Sequence, residues 1–305
     1  MVSPPARRAM ARFAVNRGLS RRRAAWLCST PRSGMEYRSV RARQDRWLSA
    51  ALRIVARDDP SWGYRLAGGY LRLRGWQLND KRVFRLWRLN GLSLPPYRRR
   101  RKVRTGDKLE GPARHRNDVW AWDFVHDRYG DAEPLRCLTV KDEATGYCLA
   151  IKTERHLQHQ HVKAALKEMI TRFGIPKAIR SDNGSELLAG ALQEQMKTYG
   201  IKLANIEPGK PWQNGSNESF NGTFRRECLN AEIFASLTEA RVIIEKWRRR
   251  YNERRPHSSQ NYITPEMAYF GVSEKRKAQQ ADWPKKGGNS RPPPFRLRFV
   301  LVYPI

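Results

Sequence analysis

Apolar residues recur every three or four positions up to about residue 90 and then switch to a two-residue alternation. The chain therefore predicts a helical first part followed by a part containing sheet. Ala6 to Asn16 carries the helical spacing, Gly18 breaks it, and Ser20 is placed to cap a helix from Arg21 to Cys28. This pair reads either as a helix-turn-helix, with Arg21, Arg22 and Arg23 in the first turn of its second helix, or as a solvated basic hairpin. The theme returns with a helix over Asp45–Arg57, then Pro60, and a second helix near Tyr64–Arg74. A turn follows at Gly75-Trp76-Gln77-Leu78, and Asn79 caps a third helix over Lys81–Leu89. Val83, Leu86 and Trp87 fall on the inner face of that third helix, which leaves Lys81, Arg82, Arg85 and Arg88 mostly on the outer one.

From residue 118 the runs become short, β-branched and aromatic. Strands are expected at Asp118–Val125, Pro134–Val140, Gly146–Thr153, Lys177–Ser181 and Ile201–Ala204, with a hairpin turn at Asp142–Gly146. Helices are expected over Gln158–Phe173, Glu186–Tyr199 and Leu237–Asn252, and one more should follow Asn214-Gly215. This is the element order of an α/β protein. The expected division is a basic N-terminal segment 1–43, a helical domain 44–96, a basic linker 97–116, an α/β core 117–270 and a tail 271–305 with a lone strand over Phe295–Tyr303.

Charge changes the picture of the first part. The chain has 305 residues and a formal net charge of +31. Residues 1–117 hold 30 Lys and Arg against 7 Asp and Glu, whereas residues 118–305 hold 30 against 22. A field concentrated in that way favours a polyanion, with nucleic acid first among the candidates. The basic third helix suits entry into a major groove, with Lys81, Arg82, Arg85 and Arg88 on phosphates and guanine edges. The run Arg98-Arg99-Arg100-Arg101-Lys102 reads as a linker laid along a phosphate backbone. Cys28, Cys137, Cys148 and Cys228 form no paired spacing, so neither a zinc ribbon nor a disulfide framework is expected, and a reducing, cytoplasmic setting fits. No apolar run reaches the ~20 residues that span a bilayer, and no membrane association is expected.

The candidate chemistry lies in three carboxylates. Asp123 sits mid-strand between Trp122 and Phe124, sharing a face with Ala121 and Val125, where an unpaired carboxylate is costly unless something there wants negative charge. Asp182 follows a strand and precedes Asn183-Gly184, at the kind of strand end where open α/β sheets place their sites. Glu218 falls on the helix after Asn214-Gly215. Together they offer hard oxygen ligands for two Mg²⁺ or Mn²⁺ ions, the donor set of an in-line phosphoryl transfer. The rivals Asp118, Asp127, Asp142, Glu186 and Glu227 are expected to be strand-end, turn, helix-start or solvated helix-face charges.

These residues carry a resemblance. The runs Trp120-Ala121-Trp122-Asp123-Phe124-Val125, Ser181-Asp182-Asn183-Gly184-Ser185-Glu186 and Gln213-Asn214-Gly215-Ser216-Asn217-Glu218 resemble the catalytic core of insertion-sequence transposases, specifically the OrfB-type subunit of the insertion-sequence-three family. The likeness continues through Tyr251-Asn252-Glu253-Arg254-Arg255-Pro256-His257 and covers roughly residues 10–270. It implies an α/β ribonuclease-H-like integrase core, a five-stranded mixed sheet with helices, preceded by an all-α helix-turn-helix-like region. It implies Asp123, Asp182 and Glu218 as a metal-binding DDE triad, with 35 residues between the second and third acids. Arg225 is implied to sit on DNA phosphate, and Gln213 and Asn214 to shape the loop before the catalytic helix. The implied partners are double-stranded DNA (terminal repeats and target), an upstream OrfA-type product joined separately or by frameshift fusion, and further copies of the chain on DNA, in the bacterial cytoplasm at the nucleoid. An idle DNA-binding regulator of transposition is the alternative, and a sequence-indifferent ribonuclease-H-like nuclease is a third reading, disfavoured by the basic helical region.

Overall fold

A computed structural model describes residues 2–37, 40–95, 113–181, 190–205 and 215–271, without the side chains of 40–44, 190, 191 and 205. The expected strand over Phe295–Tyr303 lies outside the described residues. The chain divides into two compact units, Met1–Ala51 and Leu52–Ile305.

In the first unit, α1 (Pro4–Asn16) and α2 (Arg21–Leu27) form as their spacing predicts. Gly18 takes a φ of +96° to turn the chain between them, and the Ser20 side chain accepts from the Arg23 amide at 3.3 Å. A four-residue helix, α3 (Arg32–Met35), follows, too short to leave a periodic trace. Ala11, Ala24, Ala25 and Met35 make a small core. The next helix, α4 (Val40–Asp58), begins five residues before its expected start.

The second unit opens with the end of α4, then α5 (Tyr64–Leu73) and α6 (Asp80–Leu89). Asn79 caps α6 by accepting from the Lys81 amide at 2.8 Å, and Val83, Leu86 and Trp87 are buried, as expected. A side chain at Gly69 would place its first carbon 2.7 Å from the Tyr262 ring, so α5 approaches that ring only because the residue is glycine. Arg250 and Arg254 converge on buried Asp59 just past α4, and the Arg254 guanidinium also lies 4.7 Å from the centre of the Tyr70 ring.

Five strands make one mixed sheet in the order β3-β2-β1-β4-β5. They are β1 (Val119–Tyr129), β2 (Glu133–Asp142), β3 (Cys148–Glu154), β4 (Ala178–Ser181) and β5 (Lys202–Asn205). The first three pair antiparallel, while β4 and β5 run parallel to β1. One face buries Trp120, Trp122, Leu138, Val140 and Ile179 against Val162, Leu166 and Met169 of α7 (His159–Phe173) and Leu192 and Met196 of α8 (Gly190–Thr198). The other buries Val125, Leu135, Cys137 and Cys148 against Phe220 and Phe224 of α9 (Gly215–Phe224) and Ile244, Trp247 and Tyr251 of α10 (Leu237–Arg254). A π-turn, Arg225–Leu229, extends α9, and a last helix, α11 (Pro265–Phe270), is capped by Thr264.

β1 outruns its expected end at Val125. Its last residues pair with the start of β2, Asp127 opposite Leu135 and Tyr129 opposite Glu133, so ladder bonding carries the polar stretch His126–Arg128 onward to Tyr129, which packs against the core.

Candidate active site

The face of the sheet under α9 carries the polar residues. Ala121, Asp123 and Val125 stand opposite Lys141, Thr139 and Cys137 in register, so these six share one face, as the alternation around Asp123 predicts. Asp123 is half-buried there. Its Oδ1 accepts from the Phe124 amide at 2.8 Å, and its Oδ2 accepts from Asn221 Nδ2 at 2.6 Å. Thr139 supports the pair, its hydroxyl lying 3.1 Å from the Asp123 carbonyl and 3.2 Å from Asn221 Oδ1.

α9 is pinned to this face at three heights. Lys141 Nζ donates to the Ser216 carbonyl at 2.9 Å and lies 2.7 Å from the Ser216 hydroxyl. Asn217, fully buried, donates from Nδ2 to the Trp122 carbonyl at 3.1 Å. Asn221 reaches Asp123 itself. Glu218 follows Asn217 by one residue and precedes Asn221 by three, so it is exposed on the turn of helix next to the one that touches Asp123. The sequence alone assigns no role to Asn217, Asn221, Thr139 or Lys141. Asn217 and Asn221 did carry a signal, since two asparagines four apart in a short helix run against helix propensity and call for a polar partner on one face.

Asp182 lies outside the described residues, as do Gln213, Asn214, Arg98, Arg99, Arg100, Arg101 and Lys102. β4 ends at Ser181, immediately before Asp182, and pairs Arg180 with Ala121 of β1. Arg225, in the π-turn, donates to the His126 carbonyl at 2.8 Å and sits 4.0 Å from Asp127, leaving its side chain about half exposed. On α6, Lys81, Arg85 and Arg88 are exposed and Arg82 is half-buried, so the basic face forms as expected.

Of the rival carboxylates, Asp118, Asp142 and Glu227 are occupied otherwise, and Glu186 lies outside the described residues. Lys177, at 2.7 Å, holds Asp118 well below the usual carboxylate range, with help from the His115 amide. Asp142 is wholly buried in the hairpin turn, where Oδ1 accepts from the Thr145 amide at 2.9 Å and Oδ2 from the Asn117 amide at 2.8 Å. Glu227 departs from its expected solvated helix face: it pairs with Arg255 at 2.9 Å, both largely buried, because the π-turn rotates it toward α10. Burial pushes the thiols of Cys137, Cys148 and Cys228 up to about 12, which makes them packing residues rather than nucleophiles.

The integrase core domain family matches residues 113–211, and a second integrase core domain family matches residues 199–265. Fold and match together define the class, an integrase core of the ribonuclease-H-like type. An uncharacterized 31.7 kDa protein of insertion element IS407 from Burkholderia multivorans is 37% identical over 81% of this chain and 89% of its own length. The transposase InsD of insertion element IS2 from Escherichia coli is 27% identical over 79% of this chain and 86% of its own length. Among solved structures, the HTLV-2 integrase catalytic core domain in complex with magnesium is 21% identical, covers 51% of this chain and 97% of that one, and has a TM-score of 0.39. This chain belongs to the insertion-element transposases of the insertion-sequence-three type, built on an integrase catalytic core.

Proposed function

We propose that this transposase cleaves DNA at the ends of its insertion element and joins those ends to a target, with Asp123, Asp182 and Glu218 holding two Mg²⁺ or Mn²⁺ ions. The observation that carries this reading is the fastening of α9 to β1, with Asn221 on the Asp123 carboxylate one helical turn from Glu218. The donors suit hard cations, since each is a carboxylate, and Asp123 is a half-buried acid already oriented by two N–H groups. Ions held there would lower the pKa of the attacking water or 3′-hydroxyl and stabilise the leaving 3′-oxygen. Phe124 and Asn221 fix the direction of the Asp123 carboxylate. Asn217 and Lys141 set the height of α9, and so the reach of Glu218. β4 pairs Arg180 with Ala121 of β1 and ends at Ser181, which supports assigning the next residue, Asp182, to the same centre.

Double-stranded DNA, both terminal repeats and target, is the partner that a charge of +31 favours. Arg225, Gln213 and Asn214 are assigned to DNA near the chemistry, and Arg98, Arg99, Arg100, Arg101 and Lys102 to the phosphate backbone. Lys81, Arg82, Arg85 and Arg88 are assigned to the element's end. An upstream OrfA-type product and further copies of the chain complete the assembly on DNA, at the nucleoid in the cytoplasm. No described helix is long and apolar enough to cross a membrane.

Incubation with labelled terminal-repeat DNA in Mg²⁺, with and without the upstream product, tests the activity. A 3′-end nick or joined product that EDTA abolishes is expected, whereas binding without product in either condition points to a regulator. The α6 assignment has its own test. Replacing Lys81, Arg85 and Arg88 together by Ala should weaken end binding and flatten the plot of log affinity against log salt by up to about three units of slope. An unchanged slope would remove α6 from the interface.

A further inference from the structure

The three-residue run Lys141-Asp142-Glu143, where β2 ends, fastens β1, which carries Asp123, β4, which ends one residue before Asp182, and α9, which carries Glu218. Asp142 stands opposite Trp120 in the ladder, and the Glu143 amide donates to the Val119 carbonyl at 3.0 Å, which ties the run to β1, the strand of Asp123. Arg180 donates to both carboxylate oxygens of Glu143, at 3.0 and 2.7 Å, which ties it to β4 two residues before Asp182. Lys141 reaches across to Ser216, two residues before Glu218 on α9.

Buried charge of this kind is costly. Only 8% of the Glu143 side chain and 21% of that of Arg180 are exposed, and Lys141 is 5% exposed overall. Burial lowers the Lys141 ammonium to about 8, so it stays mostly charged near neutrality, and it lies 5.8 Å from the centre of the Phe220 ring. Burial likewise raises the Glu143 carboxyl, against the pull of Arg180. A solvated pair would hold the sheet edge at less cost. What the buried arrangement adds is a fixed spacing between two strands and a helix that must present carboxylates to one centre.

We infer that Lys141 and Glu143 are positioning residues for strand transfer: neither touches DNA or metal, and together they set β4 and α9 against β1 so that the three carboxylates converge. This rests on the proposed triad.

The test uses the full chain with Lys141→Met, which keeps the length of the side chain and removes its donors, beside Asp123→Asn as reference. Three quantities are read: strand transfer with labelled element ends, affinity for those ends, and deuterium uptake of the α9 amides without DNA. Lys141→Met should lower strand transfer roughly ten- to hundredfold, leave end affinity within about twofold, and speed exchange in the first turns of α9. Transfer close to that of the unaltered chain overturns the inference, and so does lost transfer with α9 exchange unchanged, which would mean a direct role. Should Lys141→Met not fold, Ser216→Ala removes one acceptor with little disturbance. It should lower transfer about threefold with faster α9 exchange, and no change in either overturns the inference. An active Asp123→Asn protein removes the triad and this inference together, whereas an inactive one beside a fully active Lys141→Met protein removes this inference alone.

Discussion

Asp123→Asn leaves a folded protein that binds element ends and loses cleavage and joining by on the order of 10³-fold or more. The substitution is nearly isosteric. The Asn side chain keeps an oxygen for the Phe124 amide, and Val125 and Trp122 on either side remain in their opposite cores. What changes is charge. A neutral amide is a poor ligand for a divalent ion and turns an N–H group toward the Nδ2 of Asn221, where the carboxylate now accepts at 2.6 Å. Gel analysis of labelled ends in Mg²⁺, with thermal melting as the check on folding, reads the result. Product within a few-fold of the unaltered chain would detach Asp123 from the chemistry.

The second large effect is on stability, and it comes from His257. This side chain is half-buried beside Tyr251, ring centres 5.0 Å apart, and its buried Nε2 has no hydrogen-bond partner among the described residues. Burial lowers its pKa from 6.5 to about 3, and the charges of Arg255 and Lys141 push the same way. The imidazole is therefore neutral in the fold, while the unfolded chain takes up a proton once the pH falls below 6.5. Between pH 6.5 and about 3 the unfolded state binds more protons, so stability falls with pH by about 1.4 kcal/mol per unit. The carboxylates held low, Asp118 by Lys177 and Glu245 at about 2 by Arg248 and Arg249 against the upward push of burial, lose their contributions as the pH falls through the ordinary carboxylate range. Comparing urea unfolding of the unaltered chain with that of His257→Phe from pH 6.5 to 4.5 isolates the His257 contribution, because the opposing contribution of Glu143, whose carboxyl burial raises, is common to both. His257→Phe, which keeps a ring against Tyr251, should flatten the dependence, and an equal slope in both proteins would reject the assignment.

Much of this architecture is legible in the residues because local signals and tertiary demands agree. The first three strands lie in β-branched or aromatic runs bounded by turn residues, and the Asn79 cap and inward Val83, Leu86 and Trp87 of α6 need no tertiary context. Asp123 is legible for the opposite reason. A carboxylate inside a strand breaks the local rule, and such breaks mark sites. The illegible features depend on partners distant in sequence. Lys141 reads as one more polar residue before a turn until α9 is laid over it, 75 residues later. Glu227 looks solvated on an ideal helix, and only the π-turn brings it to Arg255. The extension of β1 to Tyr129 comes from its hairpin partner, and α3 and α11 are too short for periodicity to register.

The claim that three carboxylates form one catalytic centre is tested most directly at Asp182, the member that lies outside the described residues, one position after β4 ends. Strand transfer by Asp182→Asn on labelled terminal-repeat DNA in Mg²⁺, measured alongside end binding, decides it. The account predicts binding equal to that of the unaltered chain, with both the 3′-nick and the joined product gone. Equal binding with undiminished strand transfer would contradict it.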